Sequence, residues 1–501
     1  MKKSLIGERD RRIVPRWRGF AASVDLTTGR RLVVPPPTGA VSDSFAQNQA
    51  DWQEVPSLWN ALDFIAGAIV EERMDLAVDA IEQVRKDSRL PTAGARLIDA
   101  AENRTSDIDL VSASTVEEES AKEIRKSRRR LAEHPWDAVE WMDLARSFTT
   151  LGLLAKASRC VGAAVKIAPT NRFIIRAASR FYVHSLEPER ALWLLSRAGV
   201  MQDPWLMAPQ VAISGIIGHG SAFARDGLKM LKQDFSASDL SELGAALGTL
   251  EVQNGKLVHA KKLLRQSLEG ANENSVAQIE WLNRTRLGDV IDVSVANPPR
   301  LYEAGAWSSF VAGEWEESRR LAELWFRDQP FSGNAATVSS YILSEIAHDY
   351  PAALRILKTA LRCNPNHPIL VNNMAFAHIQ SGHLQEAESL LGTLPDEGSP
   401  NIRTTARATR GLLEFRKGNL EDGRAIFLKV IEDFVAREER DQAGRAATQL
   451  ALEELNSDTS FVTEAVQRSL KLTDGTKASN LIHKVQELED AVERYVAKRK
   501  S

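Results

Sequence analysis

Two cysteines in 501 residues, Cys160 and Cys363, are too few for a disulfide scaffold and too far apart for a zinc motif. Each falls on an expected second helix of a hairpin, where a thiol behaves as a small hydrophobe, and the pair fits a reducing compartment. Lys2 and Lys3 are not followed by an apolar run, so no secretory leader is expected. The longest apolar stretches, residues 58–70 and 206–217, are too short to span a bilayer, and Asp63 interrupts the first. The expectation is a cytoplasmic protein without membrane association. Catalytic signatures are missing as well: there is no Walker loop, HExxH, CxxC or GxSxG, and Gly215, Gly218 and Gly220 do not match a dinucleotide fingerprint. The nine histidines are scattered, and His378 and His383 share a helix-turn region without a third ligand nearby. A non-enzymatic chain with no cofactor and no metal is expected.

Net charge is also small, at −3, which argues against a surface that coats nucleic acid throughout. The average conceals an asymmetry. Residues 1–31 hold nine Lys or Arg against three acids, a charge of +6 that leaves −9 for the remainder. Within this arm Arg11, Arg12, Arg16 and Arg18 are the candidate nucleic-acid contacts, and Pro35-Pro36-Pro37 adds a stiff triplet on its C-terminal side. A second basic run, residues 125–130, comes after Glu117, Glu118, Glu119 and Glu123 on an expected helix. Acid first and base last suits the helix dipole, so a solvated, self-paired helix is expected there, with a nucleic-acid or acidic-partner patch as the alternative.

What the sequence does have is a 34-residue period. From Ala138, the residues Trp141, Leu144, Ala145, Phe148, Gly152, Ala157, Val161, Ala164 and Pro169 occupy positions 4, 7, 8, 11, 15, 20, 24, 27 and 32. The next unit keeps phase with Ile175, Ser179, Tyr182, Ala191, Leu195 and Ala198. This alternation of large and small residues over two antiparallel helices resembles the tetratricopeptide-repeat family. The pattern loosens over residues 206–239, recovers over 241–274 with Leu247, Gly248, Gly255, Ala260 and Leu264, and breaks at 275–298, where Asn297-Pro298-Pro299 marks an irregular elbow. It resumes at 299 through Tyr302, Ala306, Gly313, Ala322, Trp325 and Pro330, and again at 334 and 368. The unit near Thr404 sets Arg407 and Arg410 at positions 4 and 7, which should be apolar.

The expected organisation is an extended basic arm (1–50), a degenerate helical pair, linker and lead-in helix (56–133), a repeat array (138–274), the elbow (275–298), a second array (299–434) and C-terminal capping helices (435–501). The last of these, strongly charged, should present an outward polar face. The resemblance implies an all-α, right-handed superhelical solenoid of antiparallel helix pairs. It also implies that first helices line a concave groove holding extended peptides or partner helices. Positions 2, 5, 9 and 12 should face that groove. In the first array these include Met142, Arg146, Phe173, Arg176 and Arg180, a guanidinium-rich patch suited to a carboxylate, an acidic peptide or a phosphate. The family's clamp for a C-terminal carboxylate asks for Lys and Asn where Met142 and Arg146 stand, so that specificity is not implied. In the second array the same positions give Trp307, Phe310, Asn372 and Phe376, a greasier wall for an amphipathic segment. Three functional classes fit this reading: an interaction scaffold with a protein or peptide partner, a nucleic-acid-associated regulator using the arm, and a peptide-gated sensor in which the arm or terminal helices occupy the groove.

Overall fold

Local sequence sets the helix boundaries. Asp137 caps the helix Ala138–Thr150 by accepting from the amides of Val139 and Glu140, Asn171 caps Arg172–His184, Ser236 caps Ala237–Gln253, and Asn272 and Ser275 form a reciprocal box at the start of Glu273–Leu282. Helices end on glycines at positive φ, among them Gly313 and Gly418. A computed structural model describes residues 16–18, 43–70, 73, 76–87, 89–90, 94, 97–98, 115–197, 203–218, 223–288, 290–296, 298, 300–395 and 399–500. All regular structure among the described residues is helical.

The chain divides into two compact units, one of residues 24–115 and one of residues 1–23 with 116–501. In the smaller unit the helices Asp43–Glu54, Leu58–Val70 and Val78–Arg85 enclose Phe45, Phe64, Ile65 and Val84, with Trp52 stacked on Phe64. Helix thus takes up the last eight residues, 43–50, of the segment expected to be an extended arm, because Phe45 and Trp52, a helical spacing apart, share one core-facing stripe.

The larger unit is a run of helical hairpins. The helix Val116–Glu133 leads in, and the pairs Ala138–Thr150 with Leu154–Ile167 and Arg172–His184 with Pro188–Arg197 follow the first two repeats. The helix Pro204–Ile216 is buried on nearly every side, which accounts for its mostly apolar sequence. At the expected elbow the helix Glu273–Leu282 runs on through a π turn, Asn283–Leu287, before irregular chain takes over. Hairpins resume with Tyr302–Ala312 and Trp315–Asp328 and continue to Arg440–Asn456 with Val462–Thr473, after which Ser479–Lys500 completes the unit. The larger unit is therefore an all-α solenoid of antiparallel helical hairpins.

Two departures from the repeat pattern have physical explanations. Arg407 and Arg410 keep their stems on the helix surface and turn their charged ends outward, Arg407 to Asp433 at 2.5 Å and Arg410 to the carbonyl of Leu391 at 3.0 Å. The acids of the lead-in helix reach other helices: Glu119 pairs with Arg327, and Glu117 accepts from Thr359 and lies 3.4 Å from Arg362.

Distant hairpins of this unit also meet. The thiol of Cys363 donates to the carbonyl of Thr150 at 2.9 Å. Burial pushes the Cys160 thiol up to about 11 and the Cys363 thiol up to about 12, so both stay protonated at neutral pH. Beside this contact Gly152 adopts φ +72°, and a Cβ added there would lie 2.3 Å from the carbonyl oxygen of Arg362. Gly382 has a similar φ, +80°, but open space around it. The left-handed backbone alone costs a non-glycine residue about 1–2 kcal/mol. Gly152→Ala is therefore expected to destabilise the protein clearly more than Gly382→Ala, as measured by paired urea titrations; equal losses would mean the Thr150–Cys363 contact is loose.

Candidate functional site

The groove residues of the first array are already engaged within the chain. Met142 is fully buried, and Phe173 packs against the core. Arg176 donates two hydrogen bonds to Glu242 at 2.9 and 3.1 Å and another to the carbonyl of Trp205, over whose ring its guanidinium lies. Burial opposes the charge on Glu242, but Arg176, Asn274 and Asn272 outweigh it and hold the carboxyl below its ordinary range. Arg180 stacks over Phe331 at 5.3 Å. Arg146 donates to the carbonyls of Trp17 at 3.1 Å and Asp328 at 3.0 Å, and burial lowers its pKa.

The arm residue Trp17 therefore lies in this groove. Its ring, 1% exposed, meets Phe181 edge-on at 6.0 Å and Phe331 at 5.6 Å. Arg18 grips Asp328 with two hydrogen bonds, 2.5 Å from Nε to Oδ1 and 2.8 Å from Nη2 to Oδ2, while Nη1 donates to Glu273. Arg16 donates to Glu303 at 2.6 Å. Two of the four arginines singled out for nucleic acid are thus committed to carboxylates, and Arg11 and Arg12 lie outside the described residues. Burial works against the Arg18 charge, yet Asp328 and Glu273 raise its pKa overall; for Asp328, burial is outweighed by Arg18 and the carboxyl is held low.

The second array is open. Its first helices surround a cavity of about 600 Å³, to which Trp307, Phe310 and Phe376 each contribute a half-buried aromatic face. Trp307 and Phe310 sit edge to face at 5.6 Å, and Tyr341 extends the wall 5.9 Å from Phe310. Arg284 covers the Trp307 ring at 3.6 Å. Polar residues share the lining, and three of their atoms are incomplete. Buried atoms Oγ of Ser344, Oδ1 of Asn372 and Nε of Arg445 have no hydrogen-bond partner among the described residues, although the Arg445 guanidinium lies 5.4 Å over the Tyr341 ring. One side is closed by the helix Ser479–Lys500: Asn480 donates to the Tyr341 hydroxyl at 2.9 Å, and Lys484 donates to Glu345 at 2.8 Å. Burial disfavours both charges of that pair, and their mutual attraction still raises Lys484 and lowers Glu345.

Sequence reasoning placed Trp307, Phe310, Asn372 and Phe376 on the groove-facing positions, and all four line this one cavity. It missed Tyr341, Arg445 and Lys484. A signal for the first existed: Tyr341 stands at position 8 of its repeat, where a small residue is usual, and the π turn Ile342–Ile346 comes directly after it.

The larger unit is thus a run of helical hairpins with an open aromatic groove. Residues 346–404 match the family model described as Tetratricopeptide repeat, and the chain therefore carries tetratricopeptide repeats. Among solved structures, yeast Tom70 is 12% identical with a TM-score of 0.29, covering 87% of this chain and 96% of that one. The APC/C hetero-tetramer Cut9–Hcn1 is 11% identical with a TM-score of 0.39, covering 89% and 92%. A human IFIT1 dimer with m7Gppp-AAAA is 12% identical with a TM-score of 0.27, covering 92% and 96%. No curated protein matches the sequence. Among the described residues no cluster of His, Cys, Asp and Glu could hold a metal ion, and no helix is long and apolar enough to cross a membrane.

Proposed function

We propose that the chain is a non-enzymatic interaction scaffold that seats an amphipathic segment of a partner protein in the cavity of its second array. The observation that carries this reading is the open aromatic cavity with three incomplete polar groups, among them Asn372 Oδ1 and Arg445 Nε. Apolar side chains of the partner cover Trp307, Phe310 and Phe376. A backbone amide completes Asn372, and a carboxylate next to the apolar residue completes Arg445. Leaving such groups unpaired costs free energy, so a segment that supplies both is favoured over one that supplies only apolar area. Helices fixed by their neighbours offer these contacts with little reorganisation.

Trp307→Ala tests the reading. A central aromatic anchor is worth roughly 2 kcal/mol or more, about 30-fold in affinity. The tagged wild-type chain, purified from its own cells with nuclease and a high-salt wash, is expected to retain a stoichiometric protein that the variant loses. A partner held equally by both places binding elsewhere. Material lost to nuclease or salt from the wild type favours nucleic acid held by the arm instead.

A further inference from the structure

The seat of Arg16–Trp17–Arg18 is constructed like a peptide-binding site, and it lies apart from the aromatic cavity. Three carboxylates converge on it from separate places: Glu273 at the start of one helix, Glu303 in the first turn of the next, and Asp328 at the end of a third. Phe181 and Phe331 flank the indole. Arg146 reads the main chain by donating to the Trp17 carbonyl. The seated residues are neither helix nor strand. These contacts go to three consecutive side chains and one carbonyl, and none of them depends on the covalent link to the rest of the chain.

The fit is incomplete. Trp17 Nε1 and Arg16 Nη1 are buried without an acceptor among the described residues. Buried donors left unmade weaken a seat relative to water, which can satisfy both. An aromatic ring without an N–H would lose nothing there.

We propose that this slot is a recognition site for basic–aromatic–basic peptide segments, and that the chain's own arm is the ligand occupying it in cis. Two guanidinium groups facing three carboxylates give the charge complementarity, and the two phenylalanines select for an aromatic residue between them. A partner carrying such a segment would have to displace the arm before binding.

The test uses the full chain with Trp17→Ala and Arg18→Ala together, which vacates the slot, and a fluorescent peptide spanning residues 11–23. Fluorescence anisotropy is expected to show the peptide binding the double variant at least tenfold more tightly than it binds the wild type. A peptide with Phe at the central position should bind at least as well, while one with Ala at both altered positions should not bind. If the variant does not fold alone, it is refolded with peptide present; recovery by the native peptide and not by the Ala peptide supports the site equally. A folded variant that binds native and Ala peptides alike overturns the proposal, as does a variant that neither peptide restores. Loss of the cavity partner in Trp307→Ala would be unaffected by either result, so the two readings fail separately.

Discussion

Arg18→Ala is expected to lower the stability of the larger unit by about 3–5 kcal/mol at pH 7, because it leaves two buried carboxylates, Glu273 and Asp328, without their cation. The loss should depend on pH in a defined direction. Asp328 is held below the ordinary carboxylate value, burial opposing its charge and Arg18 outweighing burial. A depressed folded pKa contributes stability above the unfolded value of about 3.9, and that contribution disappears as pH falls toward the folded value. In the variant the contribution is absent, and the carboxyl takes up a proton readily. The gap between wild type and variant should therefore be wide at pH 7 and narrow below about pH 4. Urea titrations at several pH values measure it; a gap below about 1 kcal/mol at pH 7, the size of an exposed pair, would mean the arm is only loosely seated.

The second large effect is expected at the other end of the chain. Lys484 is 8% exposed and lies on the face of Ser479–Lys500 that also buries Leu481 and Leu488. Lys484→Ala leaves Glu345 charged and unpaired at the edge of the cavity, again a cost of about 3–5 kcal/mol. The loss is local, because the terminal helix can detach while the preceding hairpins keep their own neighbours. Hydrogen exchange across residues 479–500 should speed up many-fold, with the helix Ala138–Thr150 unchanged. Uniform acceleration throughout the unit would instead show that the terminal helix is integral to every repeat.

These two sites also show where the sequence was readable. The period of Trp141, Ala145, Gly152, Ala157 and Ala164 reports contacts between helices adjacent in the chain, so hairpins, loop glycines and groove-facing positions follow from local spacing. The same logic placed Trp307, Phe310, Asn372 and Phe376 together. It could not reveal that Arg18 meets Asp328 some 310 residues away, because a basic cluster reads identically whether its partners are phosphates in solution or carboxylates in a groove. Arg176 illustrates the point from the groove side. The repeat spacing puts it on a groove-facing position, but Glu242, from a later hairpin, already satisfies it. The charge of Ser479–Lys500 reads as an outward polar face; Lys484 lies on the buried face, where Glu345 compensates its burial. Tertiary pairing of charges leaves no periodic trace.

The cavity of the second array is the centre of the functional reading, and a photo-crosslinking amino acid tests it most directly. Introduced at Phe310 inside the cavity, or at Trp193, which is 57% exposed on the second helix of an earlier hairpin, it reports which surface a partner touches. Illumination in the native cell and subsequent peptide mapping are expected to yield one defined partner segment from position 310, with apolar residues beside an acidic one, and none from position 193. Crosslinks from 193 with none from 310 would contradict this reading and move the partner off the groove.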